Sequence, residues 1–254
     1  MGMTTFVRVF LVLGWGGWAL AQPGPRPGAA ALVRKPASLS LQAGPTLLAG
    51  DLKDRRSDWM AGVQLTVPFT AAFGAALSVN GGQLRAEQEA FYRSRSECRF
   101  GQVAALALLD VLQIRRNPDR LAECQLYGGL GLVYFRAFAY DLATQRLQRL
   151  TNNENSRRTR DGVRTRGQPG SRYTRELTLP VGVRISSPLS RQVSVFGDVQ
   201  YTFVRTDKLD ATLDNNNRTL ADGAAQTEQA LYHNNSRDAF VALSVGVLYY
   251  FGSR

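Results

Sequence analysis

Five polar residues stand where they could share one interior: Gln64, Glu176, Arg184, Asp198 and Gln200. Each sits at an alternate position in a segment whose intervening residues are apolar, so each falls on the face opposite an aliphatic row. Two carboxylates, one guanidinium and two amides suit two roles. One is an ion path gated by a charge pair. The other is a polar plug in which the charges neutralise one another, and an interior nearly filled by side chains favours it. Acid–base or nucleophilic catalysis needs a further group, often histidine. The one histidine, His233, lies in a polar stretch with no clear serine–carboxylate set around it, so no enzymatic activity is expected. His233 with Cys98 and Cys124 gives no zinc spacing, and Asp210, Asp214 and Asp222 do not follow a calcium-loop pattern. No metal or other cofactor is expected.

The elements that carry these residues read as strands. Eight segments alternate with period two, at about 37–49, 59–69, 73–85, 97–112, 124–140, 173–186, 192–207 and 238–251. The sixth sets Leu177, Leu179, Val181, Val183 and Ile185 against Glu176, Thr178, Pro180, Gly182 and Arg184. The last sets Val241, Leu243, Val245, Val247, Tyr249 and Phe251 against Ala242, Ser244, Gly246, Leu248 and Tyr250. The fourth is apolar on both faces and would also serve as a buried helix; its neighbours need a partner, which favours a strand. Pro45, in the first, requires an irregular ladder or a bulge.

An outward apolar row and an inward mixed row suit an all-β, eight-stranded antiparallel up-and-down transmembrane barrel. Trp59 and Phe69 close the two ends of one apolar row, ten residues apart. That is roughly 33 Å along a strand and about 24 Å along the normal after a 45° tilt, against an apolar band of about 25 Å. With Tyr201, Phe203, Tyr249 and Phe251 they make an expected aromatic girdle.

Composition agrees. Hydrophobic residues make up 44% of 254, and the mean hydropathy of −0.20 leaves no room for a helical membrane protein. Residues 1–21 read as a secretory signal with an apolar core from Val9 to Leu20 and an Ala19-Leu-Ala21 cleavage site. Residues 22–36 form a Pro/Gly-rich leader, and 37–251 the barrel, with long loops at 142–172 and 208–237. Short turns on one side and long loops on the other place the leader inside and the loops outside the outer membrane of a Gram-negative-type bacterium.

The excess of 31 basic over 20 acidic residues is mostly arginine. Residues 142–172 carry eight arginines against Glu154 and Asp161, including Arg157, Arg158, Arg160, Arg164 and Arg166. A polybasic run often means nucleic acid. On a secreted chain the nearer polyanion is outer-membrane lipid, including lipopolysaccharide phosphates, so no nucleic-acid partner is expected. Two further register expectations follow. Pairing about the 187–190 turn puts Arg184 five rows from Asp198, beyond direct contact. Pairing about Asn117-Pro118 sets Cys98 opposite residue 135 or so, far from Cys124, which predicts two free thiols.

The chain resembles the outer-membrane β-barrel domain proteins of the OmpA/OmpX type over about residues 37–251. The resemblance rests on Gly128-Gly-Leu-Gly-Leu-Val-Tyr-Phe135, Arg205-Thr-Asp-Lys-Leu-Asp210 and Ser244-Val-Gly-Val-Leu-Tyr-Tyr-Phe251. It implies an eight-stranded barrel and a final strand whose Phe251 is read by the barrel-assembly machinery, although Gly252-Ser-Arg254 trail beyond it. A peptidoglycan-binding domain is not expected. The resulting expectation is a monomeric, non-enzymatic barrel with a structural or surface-interaction role. The alternatives are a component of a secretion or envelope-assembly complex, and a soluble calyx with its apolar rows turned inward.

Overall fold

The computed structural model describes residues 36–50, 54–89, 93–114, 122–151, 163–165, 174–206, 209–211 and 238–252. The expected signal, nearly all of the leader and most of the 208–237 loop, His233 included, lie outside these. The strands are β1 Ser38–Ala49, β2 Asp54–Pro68, β3 Phe73–Gln88, β4 Ser94–Asp110, β5 Glu123–Asp141, β6 Leu147–Thr151, β7 Val163–Thr165, β8 Thr174–Pro188, β9 Val193–Val204 and β10 Ala239–Tyr250. One helical turn, α1 Val111–Ile114, follows β4.

Eight of the strands close a barrel. Around the wall they run β1, β2, β3, β4, β5, β8, β9 and β10, and β10 pairs back onto β1. Every neighbouring pair is antiparallel. The seam sets Leu39 against Tyr249 and Leu41 against Val247. Closure leaves no strand edge along the wall, so the backbone donors and acceptors of the ladder are satisfied within the sheet. Following one row from Leu248 through Ser40, Gln64, Ser78, Ala104, Gly131, Thr178 and Val204 returns to Asp238, ten residues from the start. Such a stagger goes with strands tilted by about 40°.

Period two in the sequence becomes inside and outside. Leu41, Leu65, Leu77, Leu130, Ile185 and Val245 stand exposed on the outer wall. Ser40, Gln42, Gln64, Ser78, Gln102, Thr178, Ser194 and Thr202 are buried in the lumen. The fourth segment is a regular strand: burial alternates at every position of β4, with Ala104, Leu106 and Leu108 inward.

Several local expectations change. The charged stretch 51–58 is not all turn, because β2 starts at Asp54 and crosses a register shift between Arg56 and Met60. β3 and β4 lengthen at the loop end, so the connection expected at 86–95 shrinks. At Pro45 the expected irregularity takes the form of a gap in the ladder, not a bulge. The β1–β2 register is continuous through it, and the β1–β10 ladder lacks pairs only at Gly44 and Pro45. A Cβ at Gly44 would collide with the Leu243 carbonyl, so glycine lets the two backbones approach there. The arginine-rich segment is not one open loop either. β6 takes over the edge of β5 where β8 stops: Phe135 faces Thr174, and Phe138 faces Leu150. β7 then pairs with β6.

The lumen is layered. Near the loop end an apolar cluster includes Leu48, Leu84, Phe100, Phe135 and Phe240. Leu209 and Ala211, which follow β9, join the same cluster. Toward the turn end lie Leu106, Leu108 and Tyr127 on one side and Phe196, Leu248 and Tyr250 on the other. Polar side chains fill the middle.

Candidate functional site: the lumen cluster

Arg184 organises the lumen. Its side chain is almost wholly buried, and a charge there requires partners. Nη2 donates to Gln42 Oε1 at 2.9 Å, to Gln64 Oε1 at 3.2 Å and to Asp198 Oδ2 at 3.4 Å. One guanidinium thereby ties β8 to β9 beside it and to β1 and β2 across the barrel. Its Cζ lies 4.1 Å from the centroid of the Phe196 ring, a cation–π contact in a desolvated setting. Asp198 is held from a second side, since the Tyr127 hydroxyl lies 2.8 Å from both carboxylate oxygens and donates to them.

The amides extend the cluster. Gln42 Nε2 donates to Asn80 Oδ1 at 3.0 Å, and Asn80 Nδ2 to Ser78 Oγ at 3.0 Å. Gln64 Nε2 donates to Thr66 Oγ1 at 3.1 Å. A separate bridge, Gln102 Nε2 to Thr178 Oγ1 at 3.1 Å, ties β4 to β8.

The bulky members need room. Tyr127 faces Gly182, and Phe196 faces Gly246. A Cβ at Gly182 would meet the Tyr127 ring, and one at Gly246 would meet the Phe196 ring and the Leu41 carbonyl. Each aromatic side chain therefore lies across a glycine of the next strand.

The five polar residues singled out in the sequence divide. Gln64, Arg184 and Asp198 meet directly. Arg184 and Asp198 are direct cross-strand partners, not five rows apart, because β8 continues through Pro188 and the turn spans residues 189–192. Gln200 is buried two positions from Asp198 and donates to Thr202 Oγ1 at 2.9 Å, without reaching Arg184. Glu176 faces inward but lies eight residues along β8 from Arg184, about 26 Å away. Sequence reasoning missed Gln42, Asn80, Tyr127 and Phe196. A large residue alternating with small ones, as in Tyr127-Gly-Gly-Leu-Gly131, was the available signal.

The aromatic girdle residues lie on the outer wall. Trp59, Phe69, Phe203, Tyr249 and Phe251 are exposed and Tyr201 is half-buried. Tyr201 and Phe203 pack with centroids 4.6 Å apart, Tyr249 and Phe251 with centroids 5.8 Å apart. Of the basic loop, Arg157, Arg158, Arg160 and Arg166 lie outside the described residues; Arg164 sits on β7 opposite Leu150. Cys98 and Cys124 are free thiols. Cys98 faces Ala137, two residues beyond the position expected, and Cys124 faces Ile185 near the turn end.

No protein-family model matches the chain, and no curated protein matches it by sequence. Solved structures match by fold. A major outer membrane protein from Thermus thermophilus is 12% identical at a TM-score of 0.46, covering 85% of this chain and 99% of that one. Ail, the attachment invasion locus protein of Yersinia pestis, is 12% identical at 0.45, covering 86% and 100%. The outer membrane protein OprG from Pseudomonas aeruginosa is 12% identical at 0.44, covering 87% and 98%.

Proposed function

We propose that the chain is a non-enzymatic outer-membrane barrel protein with a sealed lumen, serving a structural or surface-interaction role in a Gram-negative-type cell. The observation that carries the reading is Arg184. It is buried at mid-lumen and spans from β8 to Gln42 and Gln64 on the facing wall. An eight-stranded barrel is just wide enough for its side chains to fill it, and here a cross-barrel cluster lies between apolar layers.

The outer wall supports a membrane setting. Exposed Val, Leu and Ile cover it from Phe69 and Phe251 at the turn end to Trp59 and Phe203 at the loop end. A contiguous apolar surface of that extent is untenable in water. A soluble calyx requires the reverse, with its apolar rows inside.

Extraction and recording test both halves. The folded protein is expected in the detergent-requiring membrane fraction as a heat-modifiable band, and in planar bilayers it is expected to show no large steady conductance. Recovery as a soluble monomer would overturn the membrane reading, and a sustained large conductance would overturn the sealed lumen.

A further inference from the structure

Near the loop end of the outer wall, two arginines face each other across neighbouring strands. Arg99 of β4 is the direct partner of Arg136 of β5, and both point outward. Arg175 of β8, also exposed, is the direct partner of Tyr134, two positions from Arg136 on the same face. Opposed like charges on one face of a sheet destabilise it unless something neutralises them.

Nearby carboxylates do not serve. Glu97 lies 3.3 Å from Arg95, Asp58 lies 3.0 Å from Arg85, and Glu87 lies 2.9 Å from Arg56. Each of these acids is engaged by a different arginine. Among the described residues no carboxylate pairs with Arg99, Arg136 or Arg175. Arg136 lies over the Phe138 ring at 4.9 Å, and its Nε is covered and makes no hydrogen bond.

The wall leaves space beside these cations. One pleat closer to the barrel's middle, Gly81 faces Gly101, and Gly101 faces Tyr134. A Cβ on Gly101 would meet nothing within 4 Å, and one on Gly81 only the Phe100 carbonyl. Two outward glycines side by side make a shallow notch, rimmed by Tyr134, with Arg99 and Arg136 in the next outward row toward the loop end. The next row inward is Val79, Val103, Leu132 and Leu177, which is wholly aliphatic.

We propose that this notch binds the phosphate of a membrane lipid. Arg99 and Arg136 occupy the outer-face row next to the notch, and Arg175 stands on the following strand beside Tyr134; arginine forks match phosphate oxygens. The source is a lipid headgroup because the site continues the apolar wall. Leu109 to Arg99 on β4 is ten residues, about 25 Å along the barrel axis at a tilt of about 40°, which is the height of a barrel's apolar band. A lipid whose chains lie on Val103 and Leu132 carries its phosphate to the arginines.

This inference rests on the membrane reading above, and the test separates the two. The full chain is reconstituted into phosphatidylcholine nanodiscs doped with either phosphatidic acid or diacylglycerol, and co-purifying lipid is read by native mass spectrometry. Wild type is expected to retain phosphatidic acid roughly tenfold over diacylglycerol, and the R99Q/R136Q/R175Q variant to lose that preference. G101L, which fills the notch and keeps every arginine, is expected to lose it as well, and it carries the test where the charge variant fails to insert. Unchanged preference in the variants, with a heat-modifiable band showing that they are folded, overturns the site. Displacement of phosphatidic acid by an equal concentration of inorganic phosphate overturns the lipid as its source. Failure of wild type to enter the bilayer counts against the membrane reading, whereas entry without preference counts against the notch alone.

Discussion

Arg184 on β8 and Asp198 on β9 are direct cross-strand partners, with Nη2 and Oδ2 3.4 Å apart in the buried lumen. Removing one buried partner leaves the other's charge uncompensated, which costs about 3–5 kcal/mol. Arg184→Leu is expected to fall in that range, because Asp198 keeps only the Tyr127 hydroxyl among the contacts described above. Replacing both, as R184L/D198L, is expected to recover most of the loss. Urea midpoints in lipid vesicles measure it, and a double variant as unstable as the single would count against a coupled pair.

The glycine notches inside the barrel give a steric prediction. Gly246→Val is expected to destabilise by about 1–3 kcal/mol through overpacking against Phe196. Phe196→Ala in the same chain is expected to relieve the clash partly, so that the two changes cost less together than summed. Additive losses in the same denaturation assay would show that the ring is not what occupies the space.

Leu209 ties the segment after β9 to the lumen. It is fully buried, and its amide donates to Asp238 Oδ2 at 2.6 Å. Asp238→Ala leaves that buried donor unsatisfied, at a cost of about 1–3 kcal/mol. Hydrogen exchange is expected to show the Leu209 amide strongly protected in wild type and exposed in the variant. Equal protection in both would assign the burial to packing alone.

The thiols differ in access. Cys98 is buried and Cys124 is half-buried, and their positions on the β5 ladder differ by thirteen residues, about 43 Å. A small maleimide is expected to label one thiol in the folded protein and two after denaturation. Mild oxidation is expected to form no intramolecular disulfide. A cross-link in the folded barrel would contradict the β4–β5 register.

Much of the barrel was legible because lipid-facing and lumen-facing positions impose alternation on every strand. Trp59 to Phe69 shows this directly: the predicted outward row is exposed, with Met60 and Gln64 buried between its members. The site was less legible, for two physical reasons. The Ser187-Pro-Leu-Ser190 tetrapeptide has turn chemistry, yet the ladder runs on through Pro188, so the hairpin was centred too early and Arg184 was displaced from Asp198. Gln42 and Gln64 reach Arg184 across the lumen, and which side chains meet there depends on the ten-residue stagger, a global property that no single strand carries. The β6–β7 hairpin was missed because Leu147-Gln-Arg-Leu-Thr151 is too short and too polar to show a period.

The β1–β10 seam has a consequence for how the protein is made. Leu39 and Tyr249 are paired although 210 residues separate them, and gathering ends that distant costs about 5 kcal/mol in chain entropy before any contact repays it. Until β10 arrives, β1 and β9 each present an unpaired edge, which invites strand exchange with another copy. β10 is therefore the strand whose arrival removes both edges at once, turning an open sheet into a closed wall.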